Sequence, residues 1–228
     1  YKRQPFNAVM DWYAANFPEF EIFISDRPGE QWQHSASRND GVRKAQDARC
    51  DIIVMNDADT IPQKQTLLNA IQAASQDFYI HNPYTICKYL SNHYTNEFLD
   101  GNIALEDLPA GSPQKEWTPN GIETIWESDY VCGGIFVFQP KAWWDLGGMD
   151  EKIVHGPEDL CFQQAHQVIK GMKFVRHAGT IYAMSHLQRE KITNKDKRRE
   201  IENIAIYDKY MEITNPEQML KLVQTKTI

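Results

Sequence analysis

The chain reads as an α/β domain built on a mixed, mainly parallel sheet with helices on both faces and a helical tail. Three observations carry that reading. Helical and strand periodicities alternate through the first third of the sequence. The connections between them are short. The C-terminal stretch keeps helical spacing after the last strand pattern ends.

The elements follow in order. Phe6, Val9, Met10, Tyr13 and Phe17 recur at one-face helical spacing, and Pro18 ends that helix. Phe20, Ile22 and Ile24 alternate through Glu19–Asp26, which predicts a strand. A polar helix is expected over 37–49 and a buried parallel strand over Asp51–Asn56. A helix over 63–75 and a strand over Phe78–His81 complete the first part of the domain, residues 1–81. Residues 82–130 mix aromatics with Asn, Gly and Pro and show no sustained period, so they read as an irregular insert of acceptor-facing type. Regularity returns over 131–190, with a strand at Val131–Phe138 and a short helix in KAWWDLGG. A helix from about 157 to 170 and strands at 172–176 and 180–184 follow. Asn215-Pro216-Glu217 predicts a capped helix start in the appendage, 191–228.

Composition narrows the function. The chain has 228 residues, a net charge of −7 and 42% hydrophobic residues, which suits an ordinary globular protein. A pI near 5.5 argues against holding nucleic acid by general electrostatics. No apolar run approaches the roughly 20 residues needed to span a bilayer. Cys50, Cys87, Cys132 and Cys161 are scattered without a C-x-x-C pair, which reads as reduced thiols in a cytoplasmic protein. The sequence opens on Tyr1, so a targeting or anchor segment ahead of it stays open.

Ligands of such sheets bind beyond the carboxyl ends of strands, which directs attention to Asp26 and to Asp57-Ala58-Asp59. Two carboxylates one residue apart after an apolar strand offer hard oxygens to Mn²⁺ or Mg²⁺. Gly133-Gly134 allows close backbone approach. Glu158 and Asp159 open a helix, where either could serve as a general base, and His186 ends a strand as a candidate third metal ligand.

In this order the motifs resemble the GT-A fold nucleotide-sugar glycosyltransferases. Residues 132–186 look most like the C-terminal domain of β-1,4-galactosyltransferases, and SRNDGVRKAQ ahead of VMNDADTIP resembles the donor half of the same superfamily. The likeness covers roughly 19–80 and 130–187. It implies a metal-dependent transfer from a nucleoside diphosphate sugar, most simply a UDP-sugar, to an acceptor hydroxyl with inversion. By this resemblance Asp159 is the catalytic base and Glu158 its acceptor-binding neighbour. Asp59, Asp57 and His186 hold the metal, with Asp57 nearer the ribose or the metal's waters. Gly133 and Gly134 lie beside the donor sugar, while Asp26 with adjoining Arg27, and Arg38, support the nucleotide. Two positions depart from the family: His155-Gly156-Pro157 replaces its tryptophan-glycine run, and Leu160 replaces an acid. Both lie where an acceptor binds, so the acceptor stays open among a glycan, a polymer and a hydroxylated DNA base. The competing readings are a retaining transferase of the same fold, an inactive sugar-nucleotide-binding module, and a nucleotidyltransferase.

Overall fold

The apolar run Ile135–Phe138 organises the interior, since all its residues are buried. The computed structural model describes residues 3–26, 33–113, 125–129, 131–153, 156–185 and 194–225. The helices are α1 (Arg3–Asn16), α2 (His34–Asp47), α3 (Lys64–Ala74), α4 (Asn92–Leu99), α5 (Pro140–Asp145), α6 (Glu158–Lys170), α7 (Asn194–Glu212) and α8 (Pro216–Gln224). The strands are β1 (Ile53–Asn56), β2 (Thr60–Pro62), β3 (His81–Asn82), β4 (Ile86–Tyr89), β5 (Ser112–Pro113), β6 (Trp126–Ser128), β7 (Ile135–Phe138), β8 (Val175–Arg176) and β9 (Thr180–Ala183).

They form a four-stranded sheet of order β1-β7-β3-β8 and a five-stranded sheet of order β2-β9-β4-β6-β5. The fold is α/β with mixed sheets, as expected, although parallel pairings do not predominate. β3–β8, β4–β9 and β5–β6 are parallel, while β7 runs against both β1 and β3, β2 against β9 and β6 against β4. The reason is topological. β1 and β3 point the same way, and the chain returning from the 82–130 stretch threads β7 between them in the opposite direction. β1 is therefore an antiparallel edge strand among the described residues, not an internal parallel one. A continuous apolar run carries no information about strand direction.

β7 also shows why helices cover both faces. Val137 joins Val9, Tyr13 and Phe17 of the α1 region and Leu67, Ala70 and Ala74 of α3. Phe136 and Phe138 point the other way, into Val42 of α2, Ala142 and Trp143 of α5, and Phe162 of α6. The Trp143 and Phe138 rings stack at 4.9 Å. Proline is tolerated in β2 because that strand is an edge.

Two further expectations change. Residues 19–26 form no strand and pair with none among the described residues. Phe20 and Phe23 turn into the two cores, while Ile22 and Ile24 stay exposed. The alternation was visible locally, but the partner a strand needs lies elsewhere in the chain. The 82–130 stretch, expected to be irregular, supplies β4 at the centre of the second sheet and α4, whose start is capped by the Ser91 hydroxyl accepting from Tyr94 N–H at 3.3 Å.

The tail packs on α6. Tyr210, Met219 and Val223 bury against Ile153, Cys161 and Ala165. Asn215 caps α8 by accepting from Glu217 and Gln218 N–H. All four cysteines are unbridged. No helix among the described residues is long and apolar enough to cross a membrane.

Candidate active site

The end of β1 and the start of β7 are stitched together at one place. Asp57 N–H donates to Gly134 C=O at 2.8 Å. Asn56 Nδ2 donates to the carbonyls of Asp57 and Thr60 at 2.7 and 2.8 Å, and Tyr13 OH donates to Asn56 Oδ1 at 3.0 Å. Asp59 C=O accepts from Met184 N–H at 2.8 Å, which ties the same turn to β9. The Asp57–Asp59 turn is thus pinned between both sheets. Its carboxylates remain half-buried, and Asp59 Oδ1 accepts from the Thr60 hydroxyl at 3.2 Å.

The Gly133–Gly134 turn is held from beneath. The buried Tyr84 hydroxyl donates to Gly133 C=O, and Asn82 Nδ2 donates to the carbonyls of Cys132 and Ile135 at 3.2 and 2.8 Å. Gly134 has φ +86°, a conformation that favours glycine. Gly133 is required for a different reason: a Cβ there would lie 2.0 Å from Asp159 Oδ2. The close approach foreseen for a ligand is made by a carboxylate of the chain itself. Gly147–Gly148 serves elsewhere, with Val223 of α8 against Gly147.

Arg38 joins the two halves. Its Nη2 donates to Asp57 Oδ1 and Oδ2 at 2.9 and 3.1 Å, and its Nη1 donates to Asp159 Oδ1 at 2.6 Å. Nη1 also lies 3.7 Å from Glu158 Oε1. The guanidinium lies over the Phe136 ring, 5.6 Å from its centroid, and its side chain is 9% exposed. One turn earlier on α2, His34 Nδ1 sits 3.0 Å from Glu158 Oε1. Two nitrogen-bearing side chains at helical i, i+4 spacing, Arg38 and His34, thus face the two acids that open α6.

Burial alone would lower the Arg38 pKa. The charges of Asp159, Asp57 and Glu158 outweigh it and hold the guanidinium charged. The adjacent acids are driven apart. Burial pushes Asp159 up to about 6, with Glu158 and Asp57 adding to the rise and Arg38 opposing it. Burial acts on Glu158 in the same sense, but the His34 hydrogen bond and the Arg38 charge outweigh it and hold that carboxyl below its usual range. Adjacent acids with opposed shifts are a recognised arrangement for separating proton-transfer roles.

Arg38, Asp57, Gly133, Gly134, Glu158 and Asp159, singled out from the sequence, therefore come together. Asp26 is exposed at the end of the 19–26 segment, which is tied to α2 by a Ser25–Asp40 hydrogen bond of 2.8 Å. It does not enter the Arg38 cluster. Arg27 and His186 lie outside the described residues. Sequence reasoning missed His34, Tyr84 and Asn82. His34 left a usable signal, its i, i+4 relation to Arg38 once α2 is allowed to start before residue 37. Tyr84 and Asn82 left none, because they act on backbone carbonyls about fifty positions away.

The carboxylates of Asp57 and Asp59 have the donor chemistry of a Mn²⁺ or Mg²⁺ site. Both Asp57 oxygens are already bound by Arg38, so Asp59 is the better-suited ligand of the two. Among the described residues no three His, Cys, Asp or Glu side chains gather as a metal group. The set suits an ion that takes one or two protein carboxylates and completes its shell with phosphates and water.

No protein-family model and no curated protein matches the sequence. Solved structures do match. The crystal structure of GalNAc-T7 with UDP, GalNAc and Mn²⁺ superposes with a TM-score of 0.51 at 11% identity. The match covers 91% of this chain and 41% of that one, so the chain spans about two fifths of its length. A mutant Drosophila β-1,4-galactosyltransferase 7, in complex with manganese, UDP-Gal and xylobiose, matches with a TM-score of 0.48 and 16% identity over 87% of this chain and 73% of that one. The first likeness establishes a GT-A-like fold for the chain.

Proposed function

We propose that the chain is a metal-dependent glycosyltransferase that moves a sugar from a UDP-sugar to an acceptor hydroxyl by direct, inverting displacement. The observation that carries this reading is the Asp159 carboxylate. Arg38 holds its Oδ1, its Oδ2 sits against the Gly133 turn, and its pKa is raised to about 6. A general base works best with a pKa near the operating pH. No donor among the described residues is bonded to Oδ2, which leaves that oxygen to take the proton of the acceptor hydroxyl. As the acceptor oxygen bonds to the anomeric carbon, the bond from that carbon to the diphosphate breaks and the proton ends on Asp159.

Asp59, with Asp57 and His186, would hold Mn²⁺ or Mg²⁺, which offsets the diphosphate's negative charge. Gly133 and Gly134 flank the donor sugar. Arg38 sets the two carboxylates, and Asp26 and Arg27 are assigned to the nucleotide end. The acceptor belongs to the class of glycans, polymers or hydroxylated DNA bases.

The test is Asp159→Asn. Transfer from UDP-sugars with Mn²⁺ should fall by a factor on the order of 10²–10⁴, while calorimetry shows UDP binding within about twofold of wild type. Near-normal turnover would remove Asp159 as the base. NMR of the product reads the stereochemistry, and a retained anomeric configuration would overturn the inverting course. A wild-type protein that binds UDP but neither transfers nor hydrolyses any nucleotide sugar would instead be a binding module.

A further inference from the structure

Glu158 and Asp159 compete for one atom. Arg38 Nη1 is 2.6 Å from Asp159 Oδ1 and 3.7 Å from Glu158 Oε1. Glu158 is the more deeply buried of the two, its side chain 4% exposed against 23% for Asp159. Its Oε2 is buried with no hydrogen-bond partner among the described residues. A buried carboxylate with unmet bonding capacity should draw the nearest cation toward itself. The guanidinium nonetheless sits on Asp159 and Asp57. The difference lies one turn earlier on α2, where His34 occupies Glu158 Oε1 at 3.0 Å.

We propose that His34 is a positioning residue: by holding Glu158 it reserves the Arg38 guanidinium for Asp159 and Asp57. Glu158 then works from the interior as the anchor of that device, not by touching the acceptor. This inference rests on the proposed transferase reaction only for its kinetic readout.

Three kinetic measurements and one structure test it. In His34→Ala, kcat for transfer falls about tenfold, the equivalent of one pKa unit of interaction, while KM for the UDP-sugar stays within about twofold. His34→Asn, which keeps a side-chain N–H near the Nδ1 position, recovers most of the loss. Adding Glu158→Gln to His34→Ala also recovers kcat, because the competing charge is gone. A double variant as slow as His34→Ala, or a single variant with wild-type kcat, overturns the proposal. The crystal structure of His34→Ala gives the answer without any activity. Arg38 Nη1 should move to within hydrogen-bond distance of Glu158 and leave Asp159; a guanidinium still seated on Asp159 overturns the proposal. Absence of transfer in the wild-type protein would remove the proposed reaction and leave this structural arm to decide the role of His34.

Discussion

The molecule carries two pairs of acids at the ends of secondary-structure elements, and they are built differently. Asp57 and Asp59 sit on a half-buried turn after an edge strand, pinned through backbone bonds to both sheets. Glu158 and Asp159 open a helix against the packed face of the first sheet, where burial raises both proton affinities and the His34 bond with the Arg38 charge reverses the rise at Glu158. The same functional group is suited in one place to meet a cation and in the other to handle a proton. What separates them is solvent access, with the Asp57 side chain 37% exposed against 23% for Asp159 and 4% for Glu158, not the residue type. Arg38 touches a member of each pair, so the two cannot be treated as independent.

Removing the shared residue should have the largest effect. Arg38→Met leaves Glu158 and Asp159 without their buried cation. It should cost about 3–5 kcal/mol in denaturant unfolding and abolish turnover, and a variant of near-wild-type stability would show that the two pairs are not coupled through it. Gly133→Ala strikes the proton-handling pair by itself, since its Cβ would fall 2.0 Å from Asp159 Oδ2. Turnover should drop on the order of 100-fold, the scale of a displaced catalytic group, with UDP affinity held. Asp59→Ala strikes the cation-facing pair. Mn²⁺-dependent UDP binding by calorimetry should be lost, while kinetics of the Arg38–Asp159 side become unmeasurable for want of bound donor rather than for want of a base.

Smaller effects sharpen the contrast further. A base is active when deprotonated, so with Asp159 raised to about 6, kcat/KM should fall as pH drops through about 6 and level off above it. UDP affinity near that pH should follow a different curve, because the cation-facing pair is not Asp159; identical profiles would merge the two roles. Tyr84→Phe loses the hydroxyl that holds Gly133 C=O and leaves that buried carbonyl short of a donor. About 1–3 kcal/mol of stability should go with it, and kcat should drop before UDP binding does.

Much of the frame was legible before any coordinates. The helix over Arg3–Asn16 follows directly from Phe6, Val9, Tyr13 and Phe17, and the Asn215-Pro216 cap from local chemistry alone. These succeed because the period or cap is written into neighbouring residues. Failures fell where the deciding partner is distant. Ile22 and Ile24 alternate like strand residues, yet no strand lies beside them among the described residues. The apolar run of β1 fits either strand direction, and β4 was hidden in a stretch whose short strands are too brief to show a period. At the site, residue types were readable and their burial was not. Glu158 read as a helix-start acid, and only the structure places it among the most buried charged groups of the described residues.

The sequence by itself determined the acids, the glycines that permit close approach, and the helices and strands that carry them, because each rests on side-chain chemistry or a short-range period. Only the tertiary structure decided that Arg38 stands between Asp57 and Asp159, that His34 takes up Glu158, and that Gly133 makes room for a carboxylate. Those relations join residues up to 124 positions apart. They depend on α2 and α6 packing over the same face of β7, where low solvent access makes each charge count for more than it would in water.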